Sequence, residues 1–480
     1  MKNFTTSLVS RCTTGNVQMV KNPTKTLFYG LLLVLVASKA QAQLTATGQF
    51  RTRTELRSGQ GTLSPEGAVP ALFTSQRTRL NIGYTGYRYK FFTAIQDVRV
   101  WGQDASSINR TTTDANDGIL LHEAWGEVIL NDTVSTIQNF SLKAGRQVIS
   151  YDDQKVLGGL DWLQQGRRHD AAVFKFSNKG YTLDAGVAFN QNKELGVNTI
   201  YDGTAPGGLP APAGYGAGTN GIGTMYKSFQ FLYAAKKFHF GDISFLFFND
   251  NFSQYQTVAG AKVYDRDVWS RKTYGFYWNT NVTRKFNLTG NLYAQGGHDK
   301  SGLSIKNAYL ASLTATYQAG RKLFIGPGFD YLSGNDGTKA ATENNRFDPL
   351  YGTPHKFWGH MDYFYTASGF GANGLLNYFF KVKYKAKDNL TFLMDVHGFQ
   401  SANKVSNGAG GERDPYLGTE IDFQVQYKLT NTIGFEAGYS IMKATNTMAS
   451  PQVKGVANPE LTAHWAYVML NITPNFMAKK

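Results

Sequence analysis

The sequence predicts an all-β fold: a transmembrane, antiparallel, up-and-down β-barrel of about eighteen strands, with short periplasmic turns and long extracellular loops. Three observations lead there. Apolar and polar residues alternate with period two in one segment after another. The connections between those segments alternate between short and long. No apolar run of about twenty residues exists that could cross a bilayer as a helix.

The alternation is clearest at Gln43–Arg57, where Leu44, Ala46, Gly48, Phe50, Thr52, Thr54 and Leu56 share one face and Gln49, Arg51, Arg53, Glu55 and Arg57 the other. Tyr181–Asn190, Phe286–Gly296 and Leu417–Tyr427 repeat it. The composition agrees, with 33 Phe, 27 Tyr and 51 Gly in 480 residues at only 42% hydrophobic content. Aromatic girdles on long strands produce such a mixture. About eighteen strand candidates run from Leu44 to Ile472.

Connection lengths separate a membrane barrel from a soluble sandwich. The short ones are Gly86–Arg88, Ser177–Gly180, Lys236–Lys237, Gln318–Lys322, Lys385–Asn389 and Lys428–Thr432. Between them fall Ser58–Phe73, Gly102–Asp117, Tyr151–Gly166, Gln191–Gly223, Asn251–Asp267, Ser333–Asn373, Ser401–Pro415 and Lys443–Glu460. Short turns at the periplasmic end and long loops outside give this rhythm. The loop Ser333–Asn373 is rich in aromatics, including Phe347, Tyr351, Phe357, Trp358, Tyr363, Phe364 and Tyr365. So many rings are costly to leave in water, so the loop is expected to pack into or over the outer mouth.

The first forty residues read as a secretory signal. Lys21 and Lys25 precede an apolar Leu27–Ala37, too short for a bilayer, and Ala40-Gln41-Ala42 supplies the cleavage pattern. Residues 1–42 are therefore expected to be removed, leaving a barrel of 43–480; Met19 would give a signal of ordinary length and is an alternative start. Cys12, the one cysteine, lies in this segment, so the mature chain holds no disulfide, thiolate nucleophile or cysteine-bound metal. Lys2, Arg11, Lys21, Lys25 and Lys39 lie there without an acid, so removal takes the formal charge from +15 to about +10.

Where those charges sit decides what they imply. The lipid face must be apolar, so the charged face lines the interior, and about eighteen strands enclose more room than side chains fill. Candidate lumen residues are Arg51, Arg53, Arg57, Arg77, Arg79, Arg99, Arg167, Lys381 and Lys383, interleaved with Glu55, Asp97, Glu123, Glu127, Asp170, Asp184, Asp395, Glu420, Asp422 and Glu436. Arg146 joins them if its strand carries a bulge, because strict alternation puts it beside Leu142 and Ala144. Guanidinium groups pair bidentately with carboxylates, and a row of cations in a low-dielectric channel concentrates anions. Arg–carboxylate ladders that merely satisfy a polar wall are the competing reading. Positives spread along strands with acids between them exclude a nucleic-acid site.

Several segments resemble the alginate-export family of outer-membrane barrels. These are Leu121-His122-Glu123-Ala124-Trp125, Gly145-Arg146-Gln147, the run Asp161-Trp162 through Asp170-Ala171, Tyr331–Asp336 and Phe347–Gly359. Their order extends over about residue 44 to the C-terminus. The resemblance implies an eighteen-stranded monomeric barrel whose arginine-rich pore passes an anionic uronate polymer. The chain departs from that family in having no periplasmic segment long enough for a plug and in ending Asn475–Lys480 rather than on an aromatic.

The remaining motifs are weak. His355 and His360 share a loop with Asp348 and Asp362, but the spacing fits no metal motif, and no metal or cofactor is expected. His355, Lys356 and Trp358 are candidates for contacting solute at the outer mouth, rings suiting sugar faces and cations an anionic group. Gly203–Gly223 lacks the lysine and helix of a phosphate loop. The expected function is an outer-membrane channel for anionic or oligosaccharide solute, selective for anions, with no enzymatic activity. Its other expected partners are membrane lipid, lipopolysaccharide and the barrel-assembly machinery. A general diffusion porin is the nearest alternative. An outer-membrane hydrolase is the alternative of another class; it would need His and Ser together on the lipid face, where His464 beside Ala466 and Val468 could point.

Overall fold

Neighbouring strands pair all the way around the chain until the last meets the first. The computed structural model describes residues 43–102, 119–132, 135–191, 194, 196, 201, 226–365 and 371–478. Its strands are β1 (Gln43–Ser58), β2 (Ala71–Thr85), β3 (Tyr89–Val100), β4 (Leu120–Ile129), β5 (Asn139–Gln147), β6 (His169–Asn178), β7 (Tyr181–Phe189), β8 (Ser228–Phe238) and β9 (Gly241–Val258). They continue as β10 (Ala261–Asn281), β11 (Phe286–His298), β12 (Ser304–Gln318), β13 (Leu323–Leu332), β14 (Leu375–Lys387), β15 (Leu390–Gln400), β16 (Tyr416–Lys428), β17 (Ile433–Ala444) and β18 (Thr462–Ile472). All belong to one 18-stranded sheet, and β1 pairs antiparallel with β18 from Phe50–Ile472 to Ser58–His464. Closure leaves no edge strand, the condition for a sheet to survive in hydrocarbon. Among the described residues the only helical pieces are a 3-10 turn at Pro354–Lys356 and α1 (Asn446–Ala449), far too short to span a bilayer.

The expected faces are present. Leu44 and Leu56 of β1, Tyr181, Leu183 and Phe189 of β7, and Tyr378 and Phe380 of β14 are exposed on the outside, where lipid covers them. Exposed Tyr89, Tyr181, Tyr317, Tyr384 and Tyr427 mark the periplasmic interface, and Tyr309, Tyr331, Tyr378 and Tyr439 the outer one. Arg51, Arg53, Glu55, Arg77, Asp184 and Asp422 point the other way and are buried inside the barrel.

Two connections differ from expectation. The segment Asn251–Asp267 is not a loop: β9 and β10 run on to Val258 and Ala261 with one register shift, between Tyr264 and Val268, because Tyr255, Tyr264 and Trp269 pack edge to face and hold the extension together. The β8–β9 turn falls at His239–Phe240, with Lys236 and Lys237 still paired to Ile243 and Asp242. The Gly203–Gly223 stretch, and all of Gly102–Asp117 beyond its first residue, lie outside the described residues.

Candidate lumen site

Two long loops turn inward rather than out, and they determine what the lumen arginines do. The β5–β6 loop crosses the barrel and is anchored on three sides. Tyr151 donates to Asp184 of β7 (2.8 Å), and Asp152 accepts from Tyr233 of β8 and Ser244 of β9 (2.8 Å each). Asp153 accepts from Asn291 of β11 (2.8 Å), and Lys155 pairs with Asp330 of β13. At the far end Asp161–Gln164 rests against β1 and β2. Arg77 grips the Asp161 carboxylate with both nitrogens (2.9 and 3.1 Å), Arg51 donates to the Asp161 carbonyl (2.9 Å) and the Gln164 side chain (3.0 Å), and Arg53 donates to the Trp162 carbonyl (2.9 Å). Burial alone would raise the Asp161 pKa; Arg77 and Arg51 outweigh it and hold the carboxyl below its usual range.

The β13–β14 loop lies against this first one. Its aromatics are buried as expected: Phe347, Trp358 and Tyr363 are fully buried, with Phe364 nearly so. Asp348 accepts from Arg271 (2.7 Å), which also chelates Asp250, and the Tyr351 hydroxyl donates to Asp250 (2.9 Å). Arg167 donates to the carbonyls of Tyr351 and Gly352, and Leu157 bridges Tyr351 as a short parallel pair, so the loops are stitched together. His355 stacks on Trp162 at 4.1 Å, Arg53 covers Trp162 at 4.2 Å, and His360 stacks on His355 at 5.0 Å. His355 also bonds Asp362 (3.0 Å), yet burial outweighs this contact and pushes its imidazole below the ordinary value. On the opposite wall the Met361 N–H donates to Glu420 of β16 (2.8 Å).

Gly359 makes that last contact possible. Its φ is +85°, and a Cβ there would lie 2.6 Å from a Glu420 carboxylate oxygen. Gly359→Ala should therefore break the Met361–Glu420 bond, worth about 1.5–3 kcal/mol for a charged partner. Planar-bilayer recordings should show added open-channel noise with little change in heat-modifiable mobility. A quiet channel indistinguishable from the parent would mean this contact does not hold the loop.

The other candidates divide between the two faces. Arg79 faces inward to Gln96 (2.9 Å), Glu123 bonds the Trp125 indole (3.2 Å), and Lys381 pairs with Asp395 (2.7 Å). Lys383 and Lys385 follow Lys381 on the same inward row of β14. Lys356 donates to the Asp153 carbonyl (2.9 Å), while Trp358 is packed away in the core rather than presented at the mouth. Arg99, Arg146 and Asp170 do not line the lumen. Arg99 stands across from Gln76 and Arg77 across from Val98, so Arg99 shares the outward row with Leu80 and Ile95, paired to Asp97 at 2.8 Å. Arg146 lies opposite Ala124 and Asp170 with no register break, so the bulge that would have turned it inward is absent; it chelates Asp170 outside (2.8 and 2.9 Å). A charged pair near the rim is tolerable where the same charges at mid-membrane would not be.

What stays open is a cavity of about 510 Å³ beside the crossing loops. Lys356, Lys381, Lys383 and Lys385 face into it, with Asp153 and Asp395 opposing them. Phe324, Phe357, Phe379 and Leu393 supply apolar surface, and Ser312, Thr314 and Thr316 a hydroxyl row. That row was readable as the polar half of the alternation Ala311, Leu313, Ala315. A second cavity, of about 320 Å³, continues at the periplasmic mouth beside Lys383, Lys385 and Lys428.

On the outside, His464 takes a hydrogen bond with the Tyr439 hydroxyl (2.9 Å), and the register sets Ser58 opposite it. Among the described residues no hydrogen bond joins Ser58 to His464 and no carboxylate bonds the ring.

No family model matches the chain, and no curated protein is similar to it in sequence. Its fold is shared with solved outer-membrane porins. Acinetobacter baumannii OccAB4 matches with a TM-score of 0.57 at 10% identity, over 90% of this chain and 98% of that one. Pseudomonas aeruginosa OccK9 (OpdG) matches with 0.55 at 12%, over 90% and 99%. Pseudomonas aeruginosa OccK2 (OpdF), solved in complex with glucuronate, matches with 0.54 at 12%, over 91% and 97%. The closed 18-stranded barrel, its outward aromatic belts and these neighbours place the chain in an outer membrane with a porin-like fold.

Proposed function

We propose that this barrel is an outer-membrane channel for small carboxylated sugars, uronates among them, which pass as anions along the lysine face of β14. The observation that carries this reading is the row Lys381, Lys383, Lys385, joined by Lys356 from the loop above, in the cavity left open beside the crossing loops. Among the described residues, only Lys381 of the β14 three is matched by a carboxylate, Asp395. Aromatic and aliphatic surface at Phe324, Phe357 and Phe379 suits the apolar face of a sugar ring, and the hydroxyl row suits its OH groups. The glucuronate complex of OccK2 and the local resemblance to alginate exporters both favour uronates. Two loops across the lumen suit small solutes better than a long polymer. The arginines act mainly as struts for those loops, and the lysines carry the selectivity.

The test is the reversal potential in planar bilayers under a salt gradient, followed by titration with glucuronate. The expected result is an anion-selective sign and a concentration-dependent current block by glucuronate that neutral glucose does not give. A cation-selective sign, or equal block by both sugars, would favour a general diffusion pore. Maturation at Gln43 belongs to the same reading and is checked by N-terminal sequencing of the outer-membrane protein.

A further inference from the structure

Six basic side chains sit at three successive periplasmic turns: Lys236 and Lys237 before the β8–β9 turn, Arg284 and Lys285 in the β10–β11 turn, Arg321 and Lys322 in the β12–β13 turn. Strands β8 to β13 are consecutive neighbours in the sheet, so the three dibasic steps lie side by side on one arc of the rim. All are exposed except Lys236, which is half-buried with its ammonium 3.4 Å over the outward Tyr181 ring.

Lumen lysines are of both kinds, with Lys383 and Lys385 unpaired among the described residues and others matched. Lys90, Lys175 and Lys381 each meet a carboxylate, at Glu127, Asp184 and Asp395. None of the six rim cations forms an ion pair among the described residues; Lys322 and Lys236 reach only backbone carbonyls, of Ala386 (2.6 Å) and Lys179 (3.1 Å). Asp242 lies opposite Lys237 in register, so both share the inward row and Lys237 stands at the lumen edge of the rim without forming an ion pair to it, while Lys236 shares the outward row with Tyr181 and Ile243. Asp132 is on the β4–β5 turn, outside this arc. Like charges gathered without counter-charge repel, so the surroundings must supply the anion.

The turns themselves show at what level that anion lies. Phe238 and Phe240 stack at 5.2 Å and are exposed at the β8–β9 turn, and Val282 is exposed at the β10–β11 turn. Exposed rings and aliphatic groups at turn tips belong at the boundary of lipid and water. Long basic stems beside them bring their heads to the phosphate layer.

We infer that this arc binds anionic phospholipid of the inner leaflet through its phosphate-diester headgroups, holding such lipids along β8–β13. The inference is independent of the solute the channel passes.

The test uses the full barrel in vesicles of phosphatidylcholine containing a minor share of phosphatidylglycerol. Tryptophan quenching by brominated phosphatidylglycerol is compared with quenching by brominated phosphatidylcholine, giving relative lipid affinity. The expected preference for phosphatidylglycerol is roughly tenfold at low salt, shrinking as salt rises. The variant K236Q/K237Q/R284Q/K285Q/R321Q/K322Q should lose it while keeping heat-modifiable mobility. Should the six-fold variant fail to fold, the double variants taken singly should each remove part of the preference. Equal quenching by both lipids in the parent, or a preference that survives the substitutions, overturns the inference. Co-sedimentation with purified sacculi that the same substitutions abolish, with lipid preference unchanged, would assign the arc to the cell wall instead and overturn it too. Inorganic phosphate alone should leave the quenching unchanged; competition by it at equal concentration would mean a free-ion site rather than a lipid surface, and would also overturn the inference.

Discussion

Deleting Asn344–His360 raises single-channel conductance roughly two- to fivefold, toward what an 18-stranded lumen would carry unobstructed. The expectation follows from what that segment holds. It includes Asp348 and Tyr351, which tie the loop to Arg271 and Asp250, and His355, which stacks on Trp162. With these gone nothing covers the first crossing loop from outside. That loop remains bound by Arg51 and Arg77, so the pore widens without becoming an empty barrel. The strands supply the fold independently of the loop, through pairings that close at β1–β18. Trp162→Ala is the milder companion: it removes the His355 stack and the Arg53 cation–π contact, about 1–3 kcal/mol together, and should give flickering rather than a steady increase. Unchanged conductance in a folded, heat-modifiable deletion variant would show that the loop neither gates nor narrows the channel.

The barrel was legible because its constraints are local. A strand between lipid and lumen must alternate, so the pattern in Gln43–Arg57 or Tyr181–Asn190 appears without knowledge of any partner. The inward fold of the β13–β14 loop was legible as well, because seven aromatics in one connection need cover. Side-chain direction beyond the regular part of a strand was not. Arg146 and Asp170 sit opposite each other and face out; reading Arg146 as a lumen residue required a bulge that the β4–β5–β6 register does not contain, and Asp170 was counted among the lumen acids without the pairing that turns it outward. Arg99 fails for a related reason. Its parity is fixed by pairing with β2, and Asp97 beside it made the row look like a polar wall when it is an ion pair on the outer rim. The roles of Arg51, Arg53 and Arg77 depended on contacts more than eighty residues away in sequence, with Asp161 to Gln164, and no spacing rule encodes those. Lys385 was readable from period two alone, two positions after Lys383.

Reversing two of the lysines is expected to reverse the anion selectivity proposed for the channel. Lys383→Glu with Lys385→Glu changes the charge on one wall by four units. A permeant ion about 10 Å away in water feels roughly 0.4 kcal/mol per unit charge, so each ion's energy changes by about 1.7 kcal/mol, with opposite sign for anion and cation, and the anion-to-cation permeability ratio falls by on the order of a hundredfold before screening. That is enough to turn an anion-selective reversal potential into a cation-selective one. Both side chains are exposed to the cavity and form no ion pair among the described residues, so the substitution leaves no carboxylate stranded, as Lys381→Glu would beside Asp395. The effect should be largest in dilute salt and fade in molar salt, where screening falls to a few ångströms. Glucuronate block should weaken with it, while conductance in concentrated salt stays near that of the parent. A double variant that keeps its anion preference in dilute salt would mean the β14 lysines do not set selectivity. The arginines bound to the crossing loop would then be the source of the field.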